Sequence, residues 1–156
     1  MAPPLHSKDT WSYNGGRNIL TEKNLLEELS VIADAYIEHG GGNQNLAGRR
    51  EQLDTLQWEQ EVSIKFETNA GGKQISRRGS FDAFKEGVIV EHERGEQMRA
   101  NWHLMKMAIA HRDPTVFPEH RIAEAGVLLI PDYVNFPTRE RTEADVQAVF
   151  DQYFEF

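Results

Sequence analysis

The residues best suited to chemistry lie between Ser80 and Glu93, which read Ser80-Phe81-Asp82-Ala83-Phe84-Lys85-Glu86-Gly87-Val88-Ile89-Val90-Glu91-His92-Glu93. Side chains alternate across a strand, so Glu91 and Glu93 share a face if this segment is extended. A turn at Lys85-Glu86-Gly87 would fold Asp82 back beside Glu91. Carboxylates gathered in this way make an oxygen-rich pocket for a hard divalent cation, with the His92 carbonyl as a further oxygen. Such a cation activates water and neutralises charge on a phosphodiester. Glu93 would sit near the attacking water as ligand or general base. The same pattern also describes an edge strand with Glu91 and Glu93 facing solvent. The apolar run Val88-Ile89-Val90 and the amphipathic segment that follows favour burial instead.

Elements able to hold these acids are legible on either side. Thr21 to His39 has Leu25, Leu29, Ile32 and Tyr36 at helical spacing, with Thr21 as N-cap and Gly40 as stop. Arg49 to Gln57 predicts a short helix with Leu53 and Leu56 inward. Val62, Ile64 and Phe66 then alternate with polar residues, as in a half-buried strand. Asn69-Ala70-Gly71-Gly72 is a turn signal, and Lys73 to Phe84 returns as a second strand, bent near Gly79. Val88 to Glu93 is the third strand. Gln97 to His111 predicts a helix with Met98, Trp102, Met105 and Ile109 as its core stripe, ended by Asp113-Pro114. Val127 to Ile130 reads as a buried strand, and Thr142 to Tyr153 as a closing helix with acids in its first turn. Strand, helix, strand from Val88 to Ile130 is the order of a parallel crossover. The expected fold is α/β, a mixed central sheet flanked by helices.

Composition narrows the function classes. The chain has 156 residues, which suits one domain, with residues 1–18 as an irregular arm. It has no cysteine, so disulfides and thiolate metal sites are excluded and a cytoplasmic location is the expectation. No apolar run spans a bilayer, and no membrane partner is expected. A net charge of −8 opposes nucleic-acid binding at first sight. The cations are grouped, however: Arg49-Arg50, then Lys73, Arg77 and Arg78, then Arg94 and Arg99. A basic cleft on an acidic body is compatible with that grouping, as are solvated surface pairs. The histidines are not at metal-ligand spacing, and neither a phosphate-binding loop nor a nucleophilic serine motif occurs.

In its order and spacing the acidic core resembles the PD-(D/E)xK nuclease superfamily, and within it the BglII and BamHI group of type II restriction endonucleases. The resemblance runs from about Trp58 to Pro131. It is carried by Trp58, Ser63-Ile64-Lys65-Phe66, Ser80-Phe81-Asp82, Val88 to Glu93, the helix Met98 to Lys106, and Ala125-Gly126-Val127-Leu128-Leu129-Ile130-Pro131. It implies a restriction-endonuclease-like core. Asp82 and Glu91 would be the metal-binding acids, and Glu93 would stand where most of the superfamily has Lys and this group has Glu or Gln. Glu61 or Glu67 would be an added upstream acid, with no choice between them from sequence. It further implies Mg2+-dependent cleavage of double-stranded DNA (Mn2+ as a substitute metal) by a homodimer, with Lys73, Arg77 and Arg78 on phosphates. The chain is small for a sequence-specific enzyme of this type. Gly40 to Arg50, Asn69 to Arg78 and Arg112 to Ile122 are the segments long enough to read bases. A different class fits the same residues: a non-catalytic DNA- or protein-binding module that keeps the fold. A nuclease without sequence preference is the third expectation.

Overall fold

The computed structural model describes residues 15–38, 46–92 and 97–129. The expected closing helix at 142–153, Glu93 and most of the N-terminal arm lie outside the described residues. In chain order the elements are α1 (Gly16–Glu22), α2 (Leu26–Glu38), α3 (Leu46–Thr55), β1 (Glu59–Ala70), β2 (Lys73–Lys85), β3 (Val88–His92), α4 (Gln97–Arg112), a 3-10 turn (Pro114–Val116) and β4 (Ala125–Leu129). They form a mixed α/β fold.

Thr21 does not cap the first long helix. It ends α1, where its hydroxyl donates to the Arg17 carbonyl, and a break at Lys23-Asn24 separates α1 from α2. Asn24 takes a left-handed backbone, φ 57°, which ends one helix and starts the next. The irregular arm expected over 1–18 is therefore helical from Gly16 onward.

The sheet has the order β1-β2-β3-β4. Two two-residue turns fold its antiparallel part, Gly71-Gly72 and Glu86-Gly87, each with positive φ at both positions. This is the backbone twist that tight hairpins require, and it explains why glycine recurs there. β4 returns parallel to β3 through α4, with Val90 beside Val127 and Glu91 beside Leu128. The expected crossover is present, although β4 is only half-buried.

Each face of the sheet carries its own core. Leu25, Leu29, Ile32, Leu53 and Trp58 pack on Ala83, Val88 and Val90. On the opposite face, Val62, Ile64, Phe81 and Ile89 meet Met107, Ala110, Val116 and Phe117. Phe81 and Ala83 are two residues apart on one strand yet lie in different cores. Simple alternation would put them on the same face, so β2 changes parity between them. β1 does the same: the Gln60 amide reaches Asp54 of α3, whereas Val62 joins the α4-side core. The ladder pairs Gln60 with Ala83 and Val62 with Phe81, and skips the intervening level of Glu61 and Asp82. Glu61 has φ 52°, the local deformation that lets both strands turn over together. The bend expected near Gly79 thus lies at Asp82.

Candidate active site

The β2–β3 hairpin pairs Ala83 with Val90, Phe84 with Ile89 and Lys85 with Val88. Continuing that register puts Asp82 level with Glu91, as the turn signal implied. Backbone pairing stops there, and the Asp82 side chain takes over: its Oδ2 accepts the His92 N–H at 2.8 Å. Asp82 therefore ties the end of β3 to β2 at the level where the sheet changes parity. Glu61 is the β1 residue at this level, while Glu67 lies further along the hairpin beside Lys65. By register Glu61 is the nearer of the two to Asp82.

Glu91 is turned toward α4 and is only 3% exposed. A carboxylate removed from water needs a cation and hydrogen bonds. Lys106, itself 4% exposed, supplies both. Its ammonium pairs with Glu91 Oε1, donates to the Ser80 carbonyl at 2.8 Å, and lies 5.1 Å from the centre of the Phe81 ring. The second carboxylate oxygen, Oε2, faces His103 Nδ1 at 3.3 Å. His103 and Lys106 are three residues apart and so share one side of the helix. The candidate site consists of Asp82, where the β2–β3 pairing ends, and a buried Glu91–Lys106–His103 group against α4.

Sequence reasoning missed Lys106 and His103. The stripe expected to face the core was Met98, Trp102, Met105 and Ile109, helped by Leu104 and Ala108; of these Leu104 is buried as expected. In the structure Leu104, Met107 and Ala110 are buried with Lys106, whereas Met105 is 56% exposed and Trp102 38%. α4 is rotated from that expectation, and the rotation brings Lys106 under Glu91. The available signal was Lys106 itself, a lone cation within the otherwise apolar segment Leu104 to Ala110 of the helix.

His92 is half-buried at the end of β3. Among the described residues no group of three or more His, Cys, Asp or Glu side chains is arranged to hold a metal ion. Oxygen donors from Asp82, Glu91 and the His92 carbonyl still suit Mg2+, which is commonly held by one or two carboxylates while keeping several waters.

Lys73, Arg77 and Arg78 are all exposed on β2, toward the tip of the long β1–β2 hairpin. They do not form one patch. Arg77 pairs with Phe66 and Arg78 with Lys65, so the two arginines belong to opposite faces. Arg50 is exposed on α3, and Arg94 lies outside the described residues.

No family model matches the chain, and comparison with curated proteins and with solved structures finds no significant match.

Proposed function

We propose that this protein is a Mg2+-dependent endonuclease of the PD-(D/E)xK type that hydrolyses phosphodiester bonds in double-stranded DNA, in the manner of type II restriction enzymes. The observation that carries the reading is the buried Glu91 carboxylate, paired with the Lys106 ammonium and level with Asp82 on the next strand. In the resembled superfamily a lysine usually stands where this chain has Glu93. Here Lys106 delivers an ammonium to Glu91 from a helix instead.

Asp82, Glu91 and the His92 carbonyl would hold the cation, with Glu93 completing the site. The cation would lower the pKa of bound water and offset phosphate charge. The chain's own groups set the rest. Lys106 has three N–H donors. Two are spent on Glu91 and Ser80, which fixes the carboxylate against the sheet. Asp82 and Glu91 project from paired strands, so their spacing is rigid, as alignment of water opposite a leaving oxygen requires. Lys73, Arg77 and Arg78 would contact phosphates, and a cytoplasmic homodimer would supply one site to each DNA strand.

The test is plasmid cleavage. Nicking and linearisation are expected with Mg2+ or Mn2+, and neither with EDTA or in Asp82→Ala. Fragments of fixed size on a long DNA would identify a sequence-specific enzyme, and scattered ends a non-specific one.

One observation favours a second reading, a non-catalytic DNA- or protein-binding module. Both Glu91 oxygens already face a nitrogen of α4, an arrangement sufficient for a purely structural ion pair. Wild-type protein that binds DNA yet never cuts across a range of Mg2+ and Mn2+ concentrations would select it.

A further inference from the structure

The β1–β2 hairpin extends well beyond the rest of the sheet. β3 pairs with β2 only from Ala83 to Lys85, so from Phe81 outward β2 pairs with β1 alone among the described residues. The parity change at Glu61 and Asp82 decides how this two-stranded ribbon is covered. One face, with Val62, Ile64 and Phe81, is closed by α4 and the 3-10 turn, and Phe66 meets Trp102 edge-on at 5.8 Å. The other face is uncovered among the described residues. The core built by α2 and α3 takes Trp58, Ala83, Val88 and Val90 from the sheet side and reaches no residue of the ribbon. What the bare face presents is polar: Ser63 opposite Ser80, Lys65 opposite Arg78, and Glu67 opposite Ser76.

Two features of this face point to a polyanion. First, the ribbon as a whole, residues 62–81, holds four cations against one acid, a net +3 within a chain of net −8; Lys65, Arg78 and Glu67 lie on this face, and Lys73 and Arg77 are registered with the other. Second, Lys65 and Arg78 are direct cross-strand partners. Like charges opposite one another weaken a sheet, so their placement is not accounted for by stability. Lys65 is partly neutralised by Glu67 at 2.9 Å. Among the described residues no ion-pair partner is found for Lys73, Arg77 or Arg78.

We propose that the bare face of the β1–β2 ribbon, centred on Lys65 and Arg78, is the surface that enters the major groove of double-stranded DNA. The inference rests on the reading that duplex DNA is the substrate. A major groove about 12 Å wide admits a two-stranded ribbon. Ser, Gln and Arg side chains are the types that hydrogen-bond base edges there, and Ser63, Gln74, Ser76 and Arg78 are all exposed on the ribbon. Arg77 and Lys73 are registered with the covered face and are not part of this surface. Arg78 precedes Asp82 by four residues on β2, about 13 Å of extended chain.

The test is metal-free binding of a fluorescent duplex, measured by anisotropy in EDTA with the full chain and Lys65→Ala/Arg78→Ala. Affinity should fall about tenfold or more in the double variant, while its thermal midpoint stays level or rises because a repulsive pair has gone. Duplex carrying bulky groups at cytosine C5, which fill the major groove, should bind as weakly to the wild type. Unchanged affinity in the double variant, equal binding of the blocked duplex, or tighter binding of single-stranded RNA overturns the proposal. The two readings fail separately. Ribbon-dependent binding without cleavage retains this inference and removes the nuclease. Cleavage unaffected by Lys65→Ala/Arg78→Ala does the reverse.

Discussion

Replacing Lys106 by methionine keeps most of the side-chain volume and deletes the charge. Glu91 is 3% exposed and Lys106 4%, so water cannot take the place of the lost ammonium. Removing one member of a buried pair costs about 3–5 kcal/mol, because the remaining charge is stranded. The Ser80 carbonyl also loses its 2.8 Å donor, worth about 1 kcal/mol. The expected loss of about 4–6 kcal/mol is a large fraction of the roughly 5–15 kcal/mol that holds a domain of this size. Urea unfolding followed by circular dichroism measures it. Glu91→Leu should be comparably damaging. Glu91→Leu/Lys106→Met should recover much of the loss, since an apolar pair replaces a buried ionic one, with a coupling energy of about 2–3 kcal/mol in the cycle. A single-variant loss below about 1 kcal/mol, or coupling near zero, would refute the pairing on which the candidate site is built.

Other expectations concern the parts that position this site. Glu61 adopts φ 52°, and a left-handed backbone costs an L-residue about 1–2 kcal/mol relative to glycine. Glu61→Gly should hold or raise the thermal midpoint and Glu61→Val should lower it; the opposite order would remove the parity change from Glu61. A Cβ on Gly126 would lie 2.7 Å from Met107 Sδ, so Gly126→Ala should cost about 1–3 kcal/mol by overpacking, and adding Met107→Ala should relieve part of that in denaturant titrations. The Thr115 hydroxyl and backbone N–H hold the Asp113 carboxyl below its ordinary pKa. Because the folded value is the lower one, this cap's contribution is full above the unfolded pKa and is lost as pH falls through the folded value. An NMR titration of Asp113 should show the depression, and Thr115→Ala, which removes the hydroxyl and keeps the backbone N–H, should reduce it.

Local signals were enough to predict most of the described elements. Alternation at Val62, Ile64 and Phe66, the glycine turns at Gly71-Gly72 and Gly87, and the stop at Asp113-Pro114 each act over a few residues, and each has a counterpart in the structure. The Glu86-Gly87 turn also made the neighbourhood of Asp82 and Glu91 legible, because a two-residue turn sets the register of the strands it joins. The break between α1 and α2 was not legible. Leu25, Leu29 and Ile32 set a helical period that begins only after it, and the left-handed Asn24 leaves no mark on that period.

What the chain by itself determined was periodicity and turn chemistry, and with them a pair of acids on adjacent strands. Tertiary structure decided what surrounds those acids. Two stripes of α4 are apolar enough to face a core, and packing of Met107 and Ala110 against Phe81 and Phe117 selected the one that carries Lys106 and His103. The same packing required β1 and β2 to turn over at Glu61 and Asp82, which left Lys65 and Arg78 on a bare face. Helix rotation and strand parity are settled by which faces fit together across the fold, and nothing local to either segment encodes that choice.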